Sequence, residues 1–86
     1  MAEGRAIEYS REAVKALRSI DAKASKLIRS KIGQYAADPA ALANNVRALK
    51  GSSVLRLRVG DYRVLFTETM VVLTVLRVGH RKAIYE

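Results

Sequence analysis

Apolar and polar positions repeat in two ways along this chain, at helical spacing in the first half and in strict alternation in the second. Residues 5–9 alternate around Ile7 and predict a short first strand. Ser10 is suited to cap a helix, with Glu12 in its first turn near the positive end of the helix dipole. Ala13, Val14, Ala16, Leu17 and Ile20 then form one helical face. Asp21 can cap a second helix, where Ala24, Leu27, Ile28, Ile32, Tyr35 and Ala36 recur at helical spacing. Lys23, Lys26, Arg29 and Lys31 fall mostly on its wet side, and Asp38-Pro39 stops it. Residues 40–51 read as a connector, with a turn at Asn44-Asn45 and Leu49 anchoring the loop to the core. Strands are predicted over 54–59 and 62–67, joined by Gly60-Asp61 as a two-residue turn. Glu68-Thr69 is placed as the next turn and 70–78 as the last long strand.

The Gly60-Asp61 turn sets a register. It puts Arg58 across from Arg63 and Arg56 across from Leu65. The other face then holds Leu55, Leu57, Val59, Tyr62, Val64 and Phe66, extended by Val71, Leu73 and Val75, and should pack on the helices. The arginine face also gains Val72, Thr74 and Leu76. Parity fails at Arg77, so a bulge or the end of sheet pairing is expected there. Directly opposed like charges are unfavourable, so Arg58 across from Arg63 is a local cost that an anionic partner relieves. The expected fold is α+β, one domain over residues 1–86. A short N-terminal strand and a two-helix hairpin precede a three-stranded antiparallel meander, with the helices on one sheet face.

Composition narrows the chemistry. Half of the 86 residues are hydrophobic, enough for a modest core. No Cys is present, which removes disulfides and thiolate metal sites. With one His and eight acidic residues, a His/carboxylate metal cluster is not expected, and no cofactor is called for. No apolar run reaches the roughly 18 residues that span a bilayer. The first ten residues carry Glu3, Arg5 and Glu8 and no apolar signal segment, so the expectation is a cytoplasmic protein without a membrane partner. The formal net charge is +8. From residue 47 onward eight basic residues face three acidic ones, so the later segment is the expected polyanion surface, with RNA as its first candidate.

The order strand–helix–helix–three strands comes with Leu-Arg-Leu-Arg-Val-Gly-Asp-Tyr-Arg-Val-Leu-Phe at 55–66 and Arg-Val-Gly-His-Arg-Lys-Ala-Ile-Tyr at 77–85. This combination resembles the RelE/ParE superfamily of bacterial and archaeal toxins over nearly the whole chain. The resemblance implies the toxin half of a type II toxin–antitoxin pair. RelE-like members are endoribonucleases that enter the ribosomal A site and cut mRNA without a metal, by attack of the 2′-OH on the adjacent phosphorus. ParE-like members share the fold, poison DNA gyrase and generally lack the basic catalytic set.

Carried over residue by residue, the resemblance implies that Arg63 contacts the scissile phosphate. Arg81 stabilises charge and protonates the leaving oxygen, and Tyr85 stacks on and orients a base. Arg56 stands where many RelE-like members have a lysine proposed as general base. A guanidinium stays charged and donates in a fork, so Arg56 is read as a phosphate or rRNA contact that organises the 2′-OH electrostatically. His80 is the only side chain of the type that exchanges a proton near neutrality, and is the candidate replacement for that lysine. Arg58, Arg77, Lys82 and Lys50 are assigned to RNA backbone binding. The expected partners are a cognate antitoxin, the ribosome with its rRNA and A-site mRNA, and operator DNA through the antitoxin alone. The competing expectations are a gyrase poison without nuclease activity and a non-catalytic RNA-binding module.

Overall fold

Ser10 and Asp21 behave as the helix caps that their side chains favour. The Ser10 hydroxyl accepts from the Ala13 N–H at 3.0 Å and the Asp21 carboxylate from the Ala24 N–H at 3.1 Å. In a computed structural model that describes residues 4–84, the chain runs β1 (Ala6–Tyr9), α1 (Arg11–Ser19) and α2 (Ala22–Ala37). A short 3-10 helix (Pro39–Asn45) and β2 (Val46–Ala48) follow. The chain then forms β3 (Leu55–Val59), β4 (Tyr62–Glu68) and β5 (Val72–His80).

The strands form one sheet in the order β1-β5-β4-β3-β2. β1 lies parallel to β5, and the other pairs are antiparallel. Ser10 fastens the first helix to this sheet, because its hydroxyl also donates to the Leu76 carbonyl at 2.6 Å. The helices cover one sheet face. Leu57, Val59, Val64, Phe66, Leu73, Val75 and Val78 are buried there with Ala13 and Leu17 of α1 and Ile28, Ile32, Tyr35 and Ala36 of α2. Tyr35 meets Phe66 edge-on with ring centroids 5.2 Å apart. Burying a side chain such as Phe66 or Ile28 stabilises the fold by roughly 1.5–3 kcal/mol relative to leaving it exposed.

The α+β architecture is the expected one, with three differences. Val46–Ala48, read as connector, pairs with β3 and makes a further edge strand. The β4–β5 turn is centred on Met70-Val71, closed by the Thr69 N–H donating to the Val72 carbonyl at 2.8 Å. Val71 is therefore 70% exposed at the tip and does not join the apolar face. Leu27 is 50% exposed, because the buried stripe of α2 runs through Ser25, Ile28, Ile32 and Tyr35, about 100° around the helix from it. The parity failure at Arg77 resolves as a bulge. Leu65 pairs with Arg77 while Phe66 pairs with Val75, which leaves Leu76 as the extra residue and returns Val78 to the core. No helix among the described residues is long and apolar enough to cross a membrane.

Candidate functional site

The sheet face away from the helices carries the arginines. Register sets Arg47 opposite Arg56, Arg56 opposite Leu65, and Leu65 opposite Arg77. With strands about 4.8 Å apart, this row spans roughly 14 Å. Leu65 is only 9% exposed although no helix covers this face. Its register neighbours Arg56 and Arg77 have alkyl stems long enough to shelter it. In the next row Arg58 opposes Arg63, and Arg63 opposes Gly79. A Cβ at Gly79 would lie 3.1 Å from two side-chain carbons of Ile84, so the buried Ile84 folds back over this row where only glycine leaves room.

Arg63 is anchored to the β3–β4 turn. Its Nη1 donates to the carbonyls of Gly60 and Tyr62, both at 2.9 Å. Those acceptors exist because Gly60 takes a positive φ of 58° while Asp61 does not, the pattern of a type II′ hairpin turn. Burial lowers the Arg63 pKa below the ordinary guanidinium value, and Arg56, Arg58 and Arg81 lower it further, while Asp61 opposes them. These four arginines are thus electrostatic neighbours around one turn. Arg81, just past β5, donates its backbone N–H to the Asp61 carbonyl at 2.7 Å, and its Nε lies 3.8 Å from the Asp61 carboxylate.

The other candidates are placed differently. His80 pairs with Tyr62 in register and meets that ring edge-on at 5.9 Å, on the opposite face from Arg63. Its Nδ1 accepts from the Lys82 N–H at 3.1 Å, which leaves the proton of a neutral ring on Nε2. The fold does not bring His80 into the arginine group. Arg77 is exposed and shares the arginine face two residues from Gly79. Lys82 is exposed in the turn after β5. Lys50 is exposed in the β2–β3 connection, at the far end of β3 from Arg58. Tyr85 lies outside the described residues. Reading the chain alone missed Arg47, which lies on a strand of three residues, too short for an alternation to register. It also missed Ile84 and Asp61. Among the described residues no group of three metal-ligating side chains gathers.

Known proteins share the fold described above. A family model described as ParE toxin of type II toxin-antitoxin system, parDE, matches residues 7–85. No match was found among curated protein sequences. The fold is similar to a chain of a RelBE toxin–antitoxin complex from Mycobacterium tuberculosis, at 18% identity and a TM-score of 0.78, covering 92% of this chain and 100% of that one. It is similar to a chain of the archaeal RelE–RelB complex from Pyrococcus horikoshii, at 22% identity and 0.76, covering 92% and 97%. A chain of the RelB–RelE antitoxin–toxin complex from Methanococcus jannaschii is 26% identical with a TM-score of 0.70, covering 91% and 94%. The chain belongs to the ParE toxin family of the RelE/ParE superfamily, with structural neighbours in its RelE-like branch, and is a toxin of a type II toxin–antitoxin system.

Proposed function

We propose that this toxin is a ribosome-dependent mRNA endoribonuclease that cuts in the A site and stops translation. The observation that carries the reading is Arg63, held from behind by two carbonyls with Arg56, Arg58 and Arg81 gathered about it. Metal-free cleavage needs compensation of charge on a phosphorane-like transition state, and fixed guanidinium donors supply that.

In this reading the 2′-OH attacks the adjacent phosphorus, and the bond to the 5′ oxygen breaks. The products are a 2′,3′-cyclic phosphate and a 5′-OH end. Arg63 binds the non-bridging phosphate oxygens through its Nε and Nη2 hydrogens. Arg81 gives a proton to the leaving 5′ oxygen and regains one from water, and Arg56 lowers the cost of negative charge on the 2′ oxygen. Tyr85 stacks on a base beside the cut. The 2′-OH proton passes to water, because the Nδ1 of His80 accepts the Lys82 N–H and the ring lies beside Tyr62 on the face opposite Arg63. His80 acts as base only when that bond opens. Arg58, Arg77, Lys82 and Lys50 hold the mRNA or rRNA backbone. The toxin works in the cytoplasm, where ribosomes are. A cognate antitoxin supplies acidic and apolar groups to cover the cationic face, and operator DNA is bound through the antitoxin alone.

The match to a ParE family model favours one second reading, inhibition of DNA gyrase without nuclease activity. Induced expression in bacteria separates the two. Loss of amino-acid incorporation within minutes, with plasmid supercoiling intact, is the outcome the nuclease reading expects. Continued translation with lost supercoiling and DNA-damage signalling overturns it in favour of gyrase.

A further inference from the structure

Four arginines around one turn repel each other, and Arg81 lies close enough for its charge to act on Arg63. Asp61, in the β3–β4 turn, touches it twice. Its carbonyl accepts the Arg81 backbone N–H at 2.7 Å, and its carboxylate stands 3.8 Å from Arg81 Nε. Asp61 is also the only carboxylate whose charge acts on Arg63 among the described residues. The two side chains are 55% and 69% exposed, so the ion pair adds little to fold stability. Its geometry is informative for another reason. A guanidinium held at Nε still presents both Nη groups on its outer edge.

We propose that Asp61 is a positioning residue that holds Arg81 by its Nε edge, turning the Nη edge toward the phosphate bound at Arg63. The proposal rests on the nuclease reading for its substrate. It assigns a necessary role to a negative charge within a polyanion site. That charge costs RNA affinity, and what it supplies in return is alignment of Arg81 against its three like-charged neighbours.

Asp61→Asn removes the charge and leaves the backbone bond and a turn-compatible residue. In single-turnover cleavage of ribosome-bound mRNA, Asp61→Asn should lower the maximal rate about tenfold. The toxin concentration at half-maximal rate should be unchanged or lower. Asp61→Glu, which can still reach Arg81, should recover most of the rate. A rate equal to wild type in Asp61→Asn, or a half-saturation that rises together with the fall in rate, overturns the proposal.

A readout independent of cleavage is the Arg81 Nε–H resonance in nitrogen-15 NMR of the free toxin. It should be ordered in wild type and Asp61→Glu and mobile in Asp61→Asn. Equal order in all three proteins overturns the role of Asp61. Wild-type protein that never cuts, with the resonances as expected, overturns the nuclease reading and leaves the positioning intact.

Discussion

Arg63 has one nitrogen spoken for and two still to give. Its Nη1 is fixed on Gly60 and Tyr62, and among the described residues its Nε and Nη2 carry no hydrogen bond. Arg63→Ala should therefore reduce cleavage by about a hundredfold, close to the roughly 3 kcal/mol lost with one oxyanion donor, with little change in melting temperature. Arg63→Lys should stay at least about tenfold below wild type, because a point-like ammonium cannot hold the turn carbonyls and fork onto a phosphate together. Full activity in the lysine variant would mean that only charge matters at this position. His80 gives the contrasting case. Glutamine can accept the Lys82 N–H but cannot take up a proton, so His80→Gln should cut within about threefold of wild type. General-base removal typically costs about a hundredfold or more, and a loss of that size would make His80 the proton acceptor.

At the scale of elements, β1 is held where it lies by charge and hydrogen bonding as well as by pairing. The Tyr35 hydroxyl of α2 donates to the Glu68 carboxylate at the end of β4 at 3.0 Å. Arg5, preceding β1, lies 3.6 Å from the same carboxylate and donates to the Thr69 carbonyl at 2.7 Å. Burial raises the Tyr35 pKa, and the bond to Glu68 raises it further. The folded state then holds the phenol proton more tightly than the unfolded chain does. This contribution is complete below the ordinary phenol value of about 10 and is lost as pH rises through the higher folded value. Urea unfolding followed by circular dichroism should show stability falling above about pH 10. Tyr35→Phe should cost roughly 1 kcal/mol at neutral pH and shallow that alkaline fall. Tyr9, also raised by burial, keeps part of it.

The elements also separate what the chain makes legible from what it does not. The Arg58–Arg63 register followed from strict alternation around a glycine turn, because a one-residue slip would have moved every apolar side chain to water. The parallel pairing of β1 with β5 joins residues some 66 positions apart, and no local pattern encodes it. β2 is three residues long with two of them exposed, too short for a period to register. The turn at Met70-Val71 was hidden because its residues are apolar and 92% and 70% exposed, against the usual chemistry of turns. Of the candidate site, the arginine face was readable from parity. The placement of His80 on the other face was also implied by that parity, since it shares the side of Val78. Asp61 is legible in the chain only as a turn residue, because its contacts with Arg81 depend on how the end of β5 returns to that turn.

The whole molecule is a cation with one face left uncovered by helices. Its +8 charge draws any polyanion, so affinity alone says little about RNA recognition. Salt dependence says more. If Arg56, Arg58, Arg63 and Arg81 neutralise three to four phosphates, binding to uncut 2′-O-methyl RNA should show a log–log salt slope of about −2 to −3. Arg58→Ala should shallow the slope by about 0.7 and weaken all sequences alike. An unchanged slope would place the RNA backbone elsewhere on the surface. Clustered like charges are stabilised by an anion that binds among them.

Cleavage of mRNA on the ribosome by the arginine group can be mapped to the nucleotide. Primer extension on a defined mRNA in a reconstituted translation system tests it most directly, run with wild type, with Arg81→Ala and without ribosomes. Wild type should leave cuts within A-site codons with 2′,3′-cyclic phosphate ends, none without ribosomes and almost none with Arg81→Ala. Well-folded wild-type protein that leaves the mRNA intact, or cuts that persist undiminished in Arg81→Ala, would contradict it.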